Sequence, residues 1–217
     1  GYLAWDNFEH AKALKVFSAG IKRLELCVKF HVESSISDYF QQVAKSYFTL
    51  IEIKDKTEFF KTLHPILVRD MVSNAARRAS QNKYDDAVAR LYRALEMVGQ
   101  IAFQEKTGCS TSRVRPDVIP EALRQEYTQK YYSANKNEKL QLPLYATFRV
   151  LKELNHPIGE KFFIHEPELK KILLARNNSI LAHGIQAVNR DTYEDFTGII
   201  EELFLDGPLI EFPELRW

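Results

Sequence analysis

Arg176 and His183 stand seven residues apart in the segment RNNSILAHG. On an α-helix that spacing turns by about 20° and climbs about 10.5 Å, so the two side chains face the same way. An arginine set two turns below a histidine offers a fixed planar cation for a phosphate and an imidazole that exchanges a proton near neutral pH. Asn177, Asn178 and Ser179 follow the arginine. Their short polar side chains compete with helical hydrogen bonding, so helix propensity alone does not account for them.

Spacing by itself carries little. With 13 arginines and 6 histidines in 217 residues, about one arginine–histidine pair at a separation of five to seven is expected by accident. Arg149 and His156 share the same separation, but Val150 follows that arginine and His156 precedes Pro157. That pair reads as a solvated arginine and a helix-terminal histidine. RNNSILAHG differs in its polar run and in the small Ala182 and Gly184 flanking His183. Small neighbours allow a substrate or a second subunit to approach closely.

The elements that must position these residues are helices. Eight glycines and eight prolines punctuate the chain, and between them apolar residues recur at three- and four-residue spacing. A first helix is expected behind Asp6 as cap and to run toward Phe30, burying Phe8, Ala11, Leu14, Phe17, Ile21 and Leu24. A second starts near Ser35 or Ser37, with Tyr39, Phe40, Val43, Tyr47, Phe48 and Leu50 near its inner face. The charged IEIKDKTE stretch reads as its frayed end and a connection. His64-Pro65 opens a third helix, to about Gln81. Lys83 to Thr107 is the longest, with Ala87, Leu91, Ala94, Leu95, Val98 and Ala102 as one stripe and Gly108 at its C-terminus. GCSTSRVRPDVIP and KNEKLQLP read as loops around a short helix from Glu121. Leu144 to Asn155 forms a helix stopped by Pro157, Pro167 begins one that reaches RNNSILAHG, and Asp191 or Thr192 caps the last. GPLIEFPELRW is irregular or briefly extended. YLAWDNFEHAKALKVF and NKYDDAVARLYRALEM share a loose pattern in the style of a helix-turn-helix repeat.

The RNNSILAHG segment resembles the arginine–polar–x(4 to 6)–histidine signature of HEPN domains, with Arg176, Asn177 and His183 in its places. YDDAVARLYRALEMVGQIAF, the opening YLAWDNFEHAKAL and the RNNSILAHG block together resemble the helical effector part of CRISPR-associated proteins that join a CARF sensor domain to HEPN. The resemblance implies an all-α fold, a helical bundle of HEPN type behind an N-terminal set of paired, repeat-like helices. Residues 1–82 would form that N-terminal part and residues 83–217 the HEPN-like catalytic domain. It further implies an endoribonuclease without a metal or other cofactor, active on single-stranded RNA as a homodimer with a composite active site. His183 would shuttle a proton as a ribose 2′-hydroxyl attacks the adjacent phosphorus, and Arg176 would stabilise the crowded phosphate charge. Asn177 would orient the histidine or bind phosphate, and Asn178 and Ser179 would contact substrate. Arg90 and Arg93 of the long helix, beside Glu96, could line the RNA path, against the alternative of surface ion pairs. Nothing in the sequence reads as the doubly wound sheet of a CARF sensor. The chain is therefore expected to be a fragment, with cyclic oligoadenylate acting only through a missing CARF domain.

Composition bounds the remaining possibilities. Apolar residues make up 45% of the chain, ample for a buried core. Cys27 and Cys109 are far apart and suggest neither a disulfide framework nor a metal knuckle, which fits a cytoplasmic setting. His10, His31, His64 and His165 stand singly, without ligand spacing. Membrane association is not expected, since no signal peptide or membrane span is legible. The net charge is +1, yet residues 191–217 hold eight acids against Arg216 alone, so the rest is mildly basic and able to attract a phosphate backbone. The competing readings are a non-catalytic helical scaffold that binds protein, and a HEPN toxin held by an antitoxin.

Overall fold

The computed structural model describes the chain apart from residues 31–33, 59, 134–138, 180–183, 205–206 and 213–217, and gives the backbone alone for residues 30, 34, 35, 133 and 204. The described residues form ten α-helices, one short 3-10 turn and a two-stranded hairpin, an all-α architecture. They divide into two compact units, Gly1–Ser73 with Leu209–Trp217, and Asn74–Pro208. The division falls inside the helix Pro65–Ala79.

In the first unit, α1 (Tyr2–Asp6) and α2 (His10–Phe30) are separate helices. The single helix expected behind Asp6 is broken because Phe8 takes a left-handed φ of 58°, and Asp6 closes α1 instead of capping α2. On either side of the break, Trp5 and His10 are both buried around Asp70. Ala13 and Phe17 are buried on α2, whereas Ala11, expected inside, is exposed. α3 (Ser34–Thr57) pairs with α2 and runs through all of IEIKDKTE except its last residue, Glu58. The reason is visible in its burial: Val43, Ser46, Leu50, Ile53 and Thr57 form one inward stripe at helical spacing, so the charged residues of that stretch occupy the outer face. Phe48, expected inward, is 65% exposed. α4 (Pro65–Ala79) follows, opened by His64-Pro65 as read.

The second unit is built on α5 (Tyr84–Thr107), whose expected stripe of Ala87, Leu91, Ala94, Leu95, Val98 and Ala102 is buried throughout. Each large apolar side chain there contributes roughly 1.5–3 kcal/mol relative to exposure. Gly108 ends the helix in the left-handed conformation, φ 70°, with its N–H donating to the Gln104 carbonyl over 2.8 Å. A glycine takes that conformation without a Cβ penalty. α6 (Glu121–Tyr131) leads into β1 (Tyr132–Ser133), which pairs antiparallel with β2 (Lys139–Leu140), so KNEKLQLP is not wholly a loop. Pro157, read only as a stop after α7 (Leu144–Glu153), begins α8 (Pro157–Ile164). His156 caps α8, its Nδ1 accepting from the Ile158 N–H, and a proline at the first helical position is as compatible with a start as with an end. α9 (Glu166–Asn177) and α10 (Arg190–Phe204) complete the unit, both packed on α5. Asn189, rather than Asp191 or Thr192, caps α10 by accepting from the Thr192 N–H over 2.9 Å. The two segments compared as a repeat differ in kind, since the first is split at Phe8 and the second lies in unbroken α5.

Candidate active site at the end of α9

α9 delivers Arg176 to the side of α5. Leu169, Ile172 and Leu173 bury the inner face of α9, and that packing sets the rotation at which Arg176 emerges. Its guanidinium carbon lies over the Tyr92 ring of α5, 4.4 Å from the ring centre, a cation–π contact. Its Nη1 also donates to Asn177 Oδ1 over 3.1 Å. The Tyr92 hydroxyl is bonded to Glu96, and burial, followed by the charge and hydrogen bond of Glu96, pushes the Tyr92 phenol up, with Arg176 and Arg93 pulling the other way. Tyr92 therefore stays neutral and keeps its proton for Glu96.

Arg93 completes this row by donating from Nη1 to Glu96 Oε2 and to Gln100 Oε1, each over 3.2 Å. Arg90, placed in the sequence on the same path, points elsewhere. It bonds Asp86 and Asn74, and Asp86 also pairs with Arg78 at 3.4 Å. Arg90 thus ties α5 to α4 instead of lining a common face with Arg93.

α9 ends at Asn177, with Asn178 at its C-cap, so the helix that carries Arg176 does not continue past the polar run. His183 lies outside the described residues. The residues on either side of residues 180–183 are tied together: the Gly184 N–H donates to the Ser179 carbonyl and the Gln186 N–H to the Asn178 carbonyl, both over 3.1 Å. The run Asn177-Asn178-Ser179 is where the helix stops, as expected for side chains that compete with the backbone. Gly184 serves this turn, because a Cβ there would collide with the Asn178 carbonyl. Its small size answers to the chain's own backbone, not in the first place to a substrate. Gly184→Ala is accordingly expected to cost about 1–3 kcal/mol by overpacking, measurable as a lower urea midpoint. Ser179 is 2% exposed, which sets it inside the turn and away from solute, while Asn177 and Asn178 are exposed. Farther along, the Val188 N–H donates to Asp85 Oδ1 over 3.1 Å, anchoring the segment after the motif to the first turn of α5.

Arg149 and His156 occupy different helices. Arg149 faces Glu126 on the surface at 3.3 Å, and His156 is the α8 cap, so this second pair is structural as read. Burial first, then Lys106, lowers the His156 pKa. The folded state thus takes up this proton less readily than the unfolded chain, and stability rises with pH through the window just below 6.5. His156→Asn, a non-titrating cap, is expected to flatten that part of the stability profile in urea titrations at pH 5 to 7.

Tyr92, Asp85 and the backbone contact of Gly184 do not show in the sequence. The available signal for Tyr92 was its position four residues before Glu96 on the polar side of an otherwise apolar helix.

Comparison with protein families gives a match to the Csm6 HEPN domain over residues 56–205, which takes in α4 to α10 and with them Tyr92, Arg93 and the whole RNNSILAHG segment. No curated protein and no solved structure matches the chain.

Proposed function

Since the chain belongs to the Csm6 HEPN domain family, a CRISPR-associated group, we propose that it is an endoribonuclease that cuts single-stranded RNA by attack of a ribose 2′-hydroxyl on the neighbouring phosphorus, as an antiviral effector. The observation that carries this reading is the Arg176 guanidinium, held over Tyr92 at the end of α9 and beside the exposed Asn177. A guanidinium positioned in this way is suited to the extra negative charge of a five-coordinate phosphate. His183 moves the proton of the attacking or leaving oxygen, Asn177 orients Arg176 and contacts phosphate, and Asn178 and Arg93 contact the strand. An imidazole and a guanidinium are enough for this chemistry, so a divalent ion has no assigned role in it.

The working unit is a homodimer with the two motifs facing one another. Leu174, 62% exposed, and Ile185, 90% exposed, flank the motif and support a face covered by a second copy. The test is cleavage of single-stranded RNA in EDTA beside a DNA strand of the same sequence. RNA is expected to be cut to fragments ending in 2′,3′-cyclic phosphate and 5′-hydroxyl, with DNA untouched because it lacks the nucleophile. Cleavage of both strands, or products with 3′-hydroxyl ends, would overturn the mechanism.

A further inference from the structure

The side of α5 that carries Tyr92 continues through Glu96, Gly99 and Gln100, positions that 3.6 residues per turn bring to one face. There it borders a half-open pocket of about 200 Å³. Gly99 lacks a side chain because the Phe148 ring packs directly on the helix there, 2.9 Å from where a Cβ would stand. Ser112 and Leu142 stand across from α5, their segments joined by the Leu142 N–H donating to the Thr111 carbonyl over 2.8 Å, and the fully buried Phe148 lies at the base. The walls are therefore set by packed elements.

The chemistry of the lining is selective. Gln100 spends its Oε1 on Arg93 over 3.2 Å, which leaves its Nε2 to donate, while the Glu96 carboxylate beside it only accepts and has more lone pairs than its two partners use. Pro143 and Leu144 supply apolar surface in the same lining as that donor and acceptor. Among the described residues the lining includes no lysine or arginine, which disfavours a phosphate as its ligand. A flat group with an apolar face and an edge bearing both an N–H and an acceptor suits it, and in a single strand of RNA that group is an unpaired base. Glu96 lies one helical turn from Tyr92, about 6 Å along the axis, so a strand whose phosphate rests on Arg176 brings an adjacent base to the pocket.

We propose that this pocket takes one unpaired base next to the phosphodiester held by Arg176 and so sets the sequence preference of cleavage. This rests on the ribonuclease reading above, and the test separates the two. Binding is measured by fluorescence anisotropy with 2′-fluoro tetranucleotides of A, C, G or U, which lack the attacking hydroxyl and cannot be cut by that route. The unmodified chain is expected to bind its best base about tenfold more tightly than its worst, the discrimination one to two hydrogen bonds supply. Gln100→Ala, which removes the donor, and Ser112→Phe, which fills the mouth from an exposed position, are each expected to shrink that spread below about threefold, with circular dichroism checking that both stay folded. A spread below threefold in the unmodified chain, or a full spread retained in the folded variants, overturns the pocket assignment. RNA cleavage is followed in parallel. Base discrimination without cleavage would leave the pocket standing and remove the ribonuclease reading, whereas cleavage without base discrimination would do the reverse.

Discussion

An Arg176→Ala protein is expected to cut single-stranded RNA about 10²- to 10³-fold more slowly than the unmodified chain, the loss typical when one fixed donor to a transition-state oxyanion is removed. The structure makes this more specific than a loss of charge. Arg176 lies 4.4 Å over Tyr92 and donates to Asn177, two contacts that position its guanidinium. Arg176→Lys keeps the charge and loses the plane and the fork of donors, and most of the rate loss is expected to remain. Tyr92→Phe keeps the ring face and should stay within a few-fold of the unmodified rate, whereas Tyr92→Leu removes it and should lose about tenfold, in line with a cation–π contact at a partly buried site. Single-turnover rates at saturating RNA in EDTA separate this from weaker binding. His183→Ala is expected to lose 10²- to 10⁴-fold in the same assay, the usual contribution of a positioned proton-transfer group. An Arg176→Ala rate equal to the unmodified one would remove Arg176 from the mechanism.

Arg176 and the polar run after it stood out in the sequence because their context was unusual, and their geometry was not legible there. Seven-residue spacing suggested a shared helix face, but that inference needs the helix to continue, and the same three polar residues that drew attention to Arg176 are the ones at which α9 ends. The reason for Gly184 was equally hidden. A close approach between Gly184 and the Asn178 carbonyl is a property of a turn, and turns depend on contacts that periodicity does not encode. α5 could be read almost residue by residue, because its stripe, acid-rich start and terminal glycine all agree. Tyr92 and Asp85 could not, since an aromatic or an acid on a half-buried face acquires its meaning only from the element opposite. For Tyr92 that partner is Arg176, 84 positions later in the chain.

The break at Phe8 has the same origin and leads to the largest effect expected on stability. His10 is 1% exposed and its ring nitrogens lie 2.7 Å from Asp70 Oδ2 and 3.0 Å from the Phe8 carbonyl. The other oxygen of Asp70 accepts from Trp5 Nε1 over 2.9 Å. One buried carboxylate thus satisfies groups on α1 and α2 and holds the left-handed turn between them, a tertiary demand that overrode the helical pattern of residues 6–17. Asp70→Ala leaves the indole N–H and the imidazole without an acceptor in a dry core, and its cost is expected to be about 3–5 kcal/mol, as for other buried pairs broken from one side. Urea unfolding followed by tryptophan fluorescence measures it, since Trp5 sits at the centre of the cluster and is fully buried. His10→Ala is expected to cost nearly as much, and the double variant less than the two together, because each single change already strands the other partner. Additive losses, or a loss under about 1 kcal/mol for Asp70→Ala, would show that the cluster does not hold this turn.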